Sequence, residues 1–289
     1  MTKNKFVYIK VTNGLANRLR TVCSFHKFCE LNNSILKICW GPSAGWSEEN
    51  FYDLFENNID LISEEDYEKI CKNNFCLEKF VEKNSNNQNF YIYNTDIKNI
   101  LDKIYLNSFC YNGDSCLEYM IPQEFFSYIN LYEKSDLINL LIIKKEIKKI
   151  IEKNKQKISD NTIGVHIRRG DAWTSPWSHE YEISNDEAFI DMMEKEIHKN
   201  SKINFFLATD CKSTEELFKS IFQDRIICYE EKTFFDSIDH TKPKPYQKDA
   251  LVDMSLLSST SKIIGSYWSS FSYMASRMGK IPLIIAKSS

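Results

Sequence analysis

The second half of the chain alternates between short apolar runs and amphipathic segments, and this pattern is the strongest constraint on its fold. The apolar runs predict strands, and the segments between them predict helices. Such alternation is typical of an α/β domain built on a parallel sheet. The predicted strands are 163–167, 204–208, 225–229, 262–265 and 282–285, and the predicted helices are 185–199, 213–222, 247–258 and 269–278.

The first half begins with a similar unit. Residues 6–11 predict a strand, a loop of small residues follows, and a helix is expected over about 19–32 before a second strand at 35–40. The glycine of Asn13-Gly14 would let the backbone approach a ligand, although a plain turn between strand and helix explains it equally. At 289 residues the chain has room for about two domains. We expect residues 1–157 to form one Rossmann-like domain and residues 158–289 a second.

Three local patterns predict helices and their ends. Ser63 and Ser213 each precede acidic residues in the order expected of a capping box. Residues 134–157 predict one basic amphipathic helix, which could lie on a membrane surface or pack as an ordinary solvated helix against the core. The region 41–130 contains few recognisable elements but many aromatic residues.

Charge and cysteine usage exclude several classes of function. The 37 basic and 40 acidic residues give a net charge of -3, which argues against nucleic acid as the main partner. No apolar run is long enough to predict a membrane span. The 9 cysteines contain no C-x2-C pair, and the 5 histidines lack zinc-site spacing. We therefore expect a cytoplasmic protein with reduced thiols and no metal site.

The strand at 163–167 leads directly into two adjacent arginines, Arg168 and Arg169, followed by Asp171. Successive side chains of a strand point to opposite faces, so His166 and Arg168 should share one face while Arg169 points to the other. A guanidinium presents a rigid fork of donors that matches phosphate oxygens. The arginines predict a diphosphate site, unless they are solvated side chains with a local salt bridge to aspartate.

Polar residues also follow two other predicted strands of this half. Asp210 comes after the strand at 204–208, and residues 266–270 come after the strand at 262–265. Ligands of open α/β sheets bind outside the carboxyl ends of the strands. These segments and the arginines should therefore contribute to one site.

Several blocks of the chain together resemble the fucosyltransferase superfamily, which includes α1,2- and α1,6-fucosyltransferases and protein O-fucosyltransferases. The blocks are Asn13-Gly-Leu-Ala-Asn-Arg-Leu19, His166-Ile-Arg-Arg-Gly-Asp171, Phe206-Leu-Ala-Thr-Asp210, and Asp249 to Ser258 running into Ile264 to Ser272. The resemblance implies the GT-B fold, with two Rossmann-like domains facing across a cleft. It also implies inverting transfer of L-fucose from GDP-fucose to a glycan hydroxyl, with no cofactor and no required metal. Residues 1–157 are then expected to bind the acceptor, with recognition loops in the region 41–130, and residues 158–289 to bind the GDP-sugar.

The resemblance assigns Arg168 to the β-phosphate of the departing GDP and Arg169 to nucleotide binding or support of the loop. Asp210 is expected at the guanine or ribose, although Cys211 stands where the family often has a second acid. Asp253 could also reach guanine, with a helix cap or salt bridge as the alternative. Further donor-binding candidates are Asn13, Gly14, Asn17, Arg18, His166, Ser269 and Ser270, of which the two serines could instead cap the last helix.

An inverting displacement also needs a base near the acceptor hydroxyl. Asp171 and Glu180 are the principal candidates, and His179 and Glu182 lie in the same loop. Some core-fucosylating relatives have a lysine directly after the motif aspartate, but this chain has Ala172.

Two alternatives to fucose transfer remain, namely the same fold with another nucleotide-sugar donor and a silent module that binds glycan or nucleotide without turnover.

Overall fold

A computed structural model describes residues 5–12, 14–41, 49–76, 109–112, 137–169, 183–234, 247–267 and 269–288. The chain divides into two compact units. The first comprises Met1–Ile142 with Pro243–Pro245, and the second Ile143–Lys242 with Tyr246–Ser289. The division falls at Ile142, whereas the sequence predicted a boundary after Lys157.

In the part of the first unit that the structure describes, four parallel strands form a sheet of order β2-β1-β4-β3. The strands are buried where they are most apolar, at positions such as Val7 and Ile9 of β1. The elements are β1 (Lys5–Val11), α1 (Leu15–Asn32), β2 (Ser34–Trp40), α2 (Phe51–Leu54), α3 (Glu64–Asn73), β3 (Phe75–Cys76), β4 (Phe109–Asn112) and α4 (Leu137–Leu140).

The starts of two helices in this unit can be compared with those predicted from the sequence. Helix α1 begins at Leu15, one turn earlier than predicted, since Leu15 and Ala16 are good helix formers and both are buried. The start of α3 is confirmed. Ser63 is its N-cap, and the Ser63 hydroxyl accepts a hydrogen bond from the backbone amide of Asp66 at 3.0 Å.

The single amphipathic helix predicted over 134–157 is wrong, because the described residues form α4 and a separate helix α5 (Lys145–Lys155). The two helices are separated at Ile142, whose backbone forms hydrogen bonds with Glu56 and Asn57. Its amide donates to Asn57 Oδ1 at 2.5 Å, and its carbonyl accepts from the amide of Glu56 at 2.8 Å. The apolar periodicity of the sequence could not reveal this competing pairing.

The second unit confirms the alternating pattern. Its described strands form a five-stranded parallel sheet of order β7-β6-β5-β8-β9. The elements after α5 are β5 (Thr162–Ile167), α6 (Asp186–Lys199), β6 (Asn204–Thr209), α7 (Lys212–Phe222), a 3-10 turn (Gln223–Arg225), β7 (Ile226–Ile227), α8 (Gln247–Leu257), β8 (Ile263–Gly265), α9 (Ser270–Gly279) and β9 (Leu283–Ile285).

Both faces of this sheet are covered, which explains why its strands read as continuous apolar runs. Val165 and Ile167 pack into one buried cluster with Phe189 of α6 and Phe218 of α7. On the opposite face, a Cβ placed on Gly164 would lie 2.9 Å from Leu257 of α8. The alternation of side chains along β5 therefore separates two helical layers.

The capping box predicted at Ser213 is wrong. Helix α7 begins at Lys212 with Cys211 as its N-cap, so Ser213 already lies in the first turn. No helix in the described part of the chain is long and apolar enough to cross a membrane. Seven cysteines are free thiols in the described part of the chain: Cys23, Cys29, Cys39, Cys71, Cys110, Cys211 and Cys228.

Candidate functional site

The candidate site lies where the strand order of the second sheet reverses. Strand β5 pairs with β6 on one side and with β8 on the other, so the chain runs outward from β5 in both directions. The connections diverge at this point and leave a crevice at the carboxyl ends of the strands, where open α/β sheets bind ligands. Arg168 follows β5 and Ser266 follows β8, so these two residues lie at the reversal.

Ser266 fixes the backbone that presents Arg168. The Ser266 hydroxyl accepts a hydrogen bond from the amide of Arg168 at 2.9 Å. The Ser266 amide donates to the carbonyl of His166 at 3.1 Å, and its hydroxyl lies 3.2 Å from the same oxygen. One buried serine therefore joins the ends of β5 and β8.

Asp210, at the end of β6, contacts both arginines. Its Oδ2 pairs with Nη1 of Arg168, and its Oδ1 accepts from the backbone amide of Arg169 at 2.7 Å. The side chains of Arg168 and Asp210 are 31% and 28% exposed, so this pair is accessible from solvent. The carboxylate thus orients the Arg168 guanidinium, a contact that the sequence had not predicted for Asp210.

Arg169 has a different environment. Its side chain is only 3% exposed, and Nη2 bonds Asp186 Oδ1 at 2.6 Å. Its guanidinium also lies over the ring of Phe189, 5.9 Å from the centroid, and Nη1 donates to the carbonyl of Arg168 at 3.0 Å. Arg169 therefore lies on the face that packs against α6, as the alternation along β5 predicted, and it holds the strand end onto that helix.

His166 lies on the opposite face, under α9. Its Nδ1 is 2.7 Å from the hydroxyl of Ser272, and its ring stacks on Phe271 at 4.7 Å between centroids. Gly265 on β8 pairs with His166, and a Cβ on Gly265 would lie 2.6 Å from the Ser272 oxygen. Burial lowers the pKa of His166 to about 3, so the imidazole is neutral at physiological pH.

Helix α9 begins beside this histidine. Ser269 is its N-cap residue and Ser270 its first helical residue, and both are partly exposed. The Ser269 hydroxyl makes no capping hydrogen bond with any residue that the structure describes. The alternative in which this serine caps the helix through its side chain is therefore not observed, and the helix begins with two partly exposed serines.

Asp253 lies within α8 and forms a buried ion pair. Its Oδ2 is 3.1 Å from Nζ of Lys232, and the two side chains are 8% and 6% exposed. Lys232 is also 3.9 Å from Glu215 Oε2. The salt-bridge alternative for Asp253 is thus observed, and a role at the guanine stays a prediction. Burial raises the pKa of Asp253 to about 6, although Lys232 opposes that rise.

Asp249, one turn before Asp253 on α8, fixes the segment after β7. Its Oδ1 accepts from the hydroxyl of Tyr229 at 3.2 Å, and its Oδ2 accepts from the amide of Thr233 at 3.0 Å. The sequence assigned no role to Asp249 or Ser272, although both stand in the quoted blocks, and it did not single out Lys232. The i, i+4 spacing of the two aspartates on one predicted helix was the available signal, whereas Lys232 stands in no motif.

The predicted residues of the first unit lie at the start of α1. Gly14 is the N-cap, and the Asn17 carbonyl accepts from the hydroxyl of Thr21 at 2.9 Å. Arg18 is fully buried, donates to the carbonyl of Gly41 at 2.8 Å and lies over the Trp40 ring at 5.3 Å. These contacts make Arg18 part of the unit's core, and donor binding by this trio stays a prediction.

Three predicted site residues, Asn13, Asp171 and Glu180, lie outside the described residues. Among the residues that are described, no group of three or more histidine, cysteine or acidic side chains could hold a metal ion. The expected independence from metals stays a prediction.

No protein-family model matches the chain, and no curated protein matches it. Solved structures do match. The fucosyltransferase NodZ from Bradyrhizobium has a TM-score of 0.56 at 18% identity, covering 95% of this chain and 92% of that one. A further NodZ structure, described as an α-1,6-fucosyltransferase soaked with GDP-fucose, has a TM-score of 0.56 at 16% identity and covers 96% and 93%.

Two other solved structures extend the comparison. A mutant of Arabidopsis thaliana FUT1 in complex with GDP has a TM-score of 0.58 at 15% identity, covering 98% of this chain and 70% of that one. POFUT1 in complex with GDP has a TM-score of 0.51 at 10% identity and covers 98% and 99%. At these identities the likeness establishes the fold, and the predicted α/β fold of the GT-B class is confirmed.

Proposed function

We propose that the protein is an inverting glycosyltransferase that moves L-fucose from GDP-fucose to a hydroxyl of a glycan. The observation that carries the proposal is the position of Arg168, at the strand-order reversal of the second sheet, where Asp210 orients its guanidinium and Ser266 fixes its backbone. The fold shared with NodZ, whose structure was soaked with GDP-fucose, supports the same donor.

In such a transfer, the acceptor oxygen forms a bond to the anomeric carbon of fucose as the bond from that carbon to the β-phosphate oxygen breaks. The bond's electron pair leaves with GDP, so negative charge grows on the diphosphate. A fixed guanidinium stabilises that charge more in the transition state than in the ground state, because its orientation needs no further reorganisation. We assign this role to Arg168.

The geometry favours Arg168 over Arg169 for this role. Arg169 is committed to Asp186 and Phe189 and is almost fully buried, whereas Arg168 is partly exposed. A ligand phosphate could replace Asp210 as the partner of the Arg168 guanidinium. The Asp210 carboxylate would stay in place, because its Oδ1 also accepts a hydrogen bond from the amide of Arg169. The hydroxyls and amides at Ser269 and Ser270 would provide further donors to the diphosphate.

The remaining steps of the proposal rest on the sequence. Asp171 or Glu180 would take the proton from the acceptor hydroxyl as it attacks. Without a metal, Arg168 and the α9 N-terminus would neutralise the leaving group. Donor binding by Gly14, Asn17 and Arg18 of the first unit remains part of the proposal on the grounds of sequence alone.

The test is GDP release from GDP-fucose in a mixed set of glycan acceptors, with and without EDTA. We expect turnover that survives EDTA and falls by roughly 10³-fold in Arg168→Ala. Arg277→Ala is the matched control, because Arg277 lies in the last turn of α9, at the opposite end of the helix from Ser270. Equal activity of wild type and Arg168→Ala would refute the assignment, and GDP binding without turnover would favour a silent binding module.

A further inference from the structure

The buried pair of Lys232 and Asp253 leaves one polar atom unsatisfied. Asp253 Oδ2 bonds Lys232 at 3.1 Å, but Oδ1 is buried and accepts no hydrogen bond from any residue that the structure describes. Both side chains are less than a tenth exposed. An unsatisfied buried carboxylate oxygen is costly, and a bound ligand that donates an N–H would remove that cost.

The position of the pair connects it with the site. Lys232 follows β7 at the carboxyl edge of the second sheet, and Asp253 lies on α8, which packs against β5 and β6. Tyr229 and Thr233, on either side of Lys232, are both bonded to Asp249 one turn before Asp253. The segment after β7 is therefore fixed to α8 at several points, and Lys232 has little freedom to move.

Lys232 is poorly suited to bind phosphate itself. Its ammonium lies between Asp253 at 3.1 Å and Glu215 at 3.9 Å, with the Phe234 ring at 4.8 Å. These contacts enclose the charge, and the side chain is 6% exposed. A lysine held in this way orients its neighbours, because its hydrogen bond to Oδ2 restricts the rotation of the Asp253 carboxylate.

We propose that Lys232 is a positioning residue that holds Asp253 by Oδ2, so that Oδ1 accepts hydrogen bonds from the N–H groups of the nucleobase. This inference rests on the proposed function, because it names what orients the base-reading carboxylate of the GDP-sugar site. The edge of guanine that carries N1–H and the 2-amino group offers adjacent donors to one carboxylate, whereas the corresponding edge of adenine does not.

The charges around Asp253 give the inference a pH signature. The groups nearby are Lys232, Tyr229 and Cys228 after β7, Glu215 and Lys219 on α7, and Asp249 on α8. Burial raises the pKa of Asp253, Lys232 lowers it, and Asp249 and Glu215 raise it, and together these effects place it at about 6. Because the ionised carboxylate accepts hydrogen bonds from the nucleobase, the preference for guanine over other bases should weaken as pH falls through about 6.

The experiment compares the binding of GDP, inosine diphosphate and ADP by calorimetry between pH 5 and 8. All three nucleotides carry the same diphosphate, so the effect of its titration cancels when the affinity of one nucleotide is divided by that of another. We expect wild type to prefer GDP over inosine diphosphate, which lacks the 2-amino group, and both over ADP. Lys232→Gln should weaken GDP binding by about tenfold, bring the GDP-to-inosine ratio close to one and move the pH midpoint upward, whereas Lys232→Arg should restore the preference.

Two further variants keep the test decisive. Glu215→Gln removes a neighbouring charge but retains Lys232, so the pH midpoint should move downward, and this result is available even when Lys232→Gln does not fold. Lys153→Gln is the matched control, since Lys153 forms an exposed pair with Glu231, next to Lys232 in the chain. An unchanged preference and midpoint in both Lys232→Gln and Glu215→Gln would overturn the inference. Absence of GDP binding in wild type would instead refute the proposed function.

Discussion

Arg169 and Asp186 form an ion pair of 2.6 Å in which the arginine is buried and the carboxylate is partly exposed. Asp186 is the first residue of α6, so the pair joins the end of β5 to the helix that follows it in the fold. The neighbouring Arg168 pairs with Asp210 on β6 and stays accessible. The adjacent arginines therefore have separate roles, one in the scaffold and one in the proposed chemistry.

This separation predicts that two alanine substitutions lower the stability of the protein by different amounts. Arg169→Ala leaves Asp186 without its partner and removes the contact with Phe189, so we expect a loss of about 3 kcal/mol in the free energy of unfolding. Arg168→Ala should cost less than about 1 kcal/mol, because its pair is solvent-exposed. Urea unfolding of both variants measures this difference. A larger loss for Arg168→Ala than for Arg169→Ala would contradict the assignment.

Asp210 should act through the orientation of Arg168. Asp210→Asn keeps an oxygen that can accept from the Arg169 amide but loses the charge that holds Nη1 of Arg168. We expect kcat with GDP-fucose to fall about 10- to 100-fold, with a smaller change in GDP affinity, since the fork is present but less well placed. Steady-state kinetics and GDP titration separate the two effects. A loss confined to GDP affinity would favour direct contact between Asp210 and the nucleotide.

His166 predicts a dependence of stability on pH. Its pKa is about 3 in the folded protein and about 6.5 in an unfolded chain, because burial disfavours the charged ring. The unfolded state therefore binds more protons between these values. The neutral His166 therefore contributes fully to the free energy of unfolding above pH 6.5. This contribution is lost as pH falls toward 3, and roughly 2 kcal/mol of it is lost by pH 5.

His166→Gln cannot take up this proton, so its unfolding free energy should change less between pH 7 and pH 5 than that of wild type. Urea unfolding at both pH values gives the comparison. Parallel pH profiles for the two proteins would show that His166 does not titrate in this way.

Gly279 predicts a strong steric effect at the end of α9. A Cβ at this position would lie 2.1 Å from the backbone carbonyl oxygen of Ser258, which follows α8. A backbone atom cannot move aside cheaply, so we expect Gly279→Ala to cost about 3 kcal/mol or more in thermal or urea unfolding. Gly41→Ala is the control, because a Cβ at Gly41 would lie within 4 Å of no atom of the residues that the structure describes. Equal stabilities of these two variants would contradict the close packing of α8 and α9.

The sequence predicted the second unit well because its strands are buried on both faces and its helices are amphipathic. The alternation along β5 even predicted that Arg168 and Arg169 would differ. The break between α4 and α5 was not predictable, because it depends on Asn57, 85 residues away from Ile142 in the chain. The role of Lys232 depends in the same way on Asp253 across 21 residues and on no local pattern.

The proposed function is tested most directly by the product of the reaction. Wild-type protein would be incubated with a glycan acceptor library and, separately, GDP-fucose, GDP-mannose and a uridine diphosphate sugar, and the acceptors analysed by mass spectrometry. We expect addition of one deoxyhexose to an acceptor with GDP-fucose and no addition with the other donors. Transfer of a different sugar, or GDP-fucose binding without any modified acceptor, would contradict that expectation.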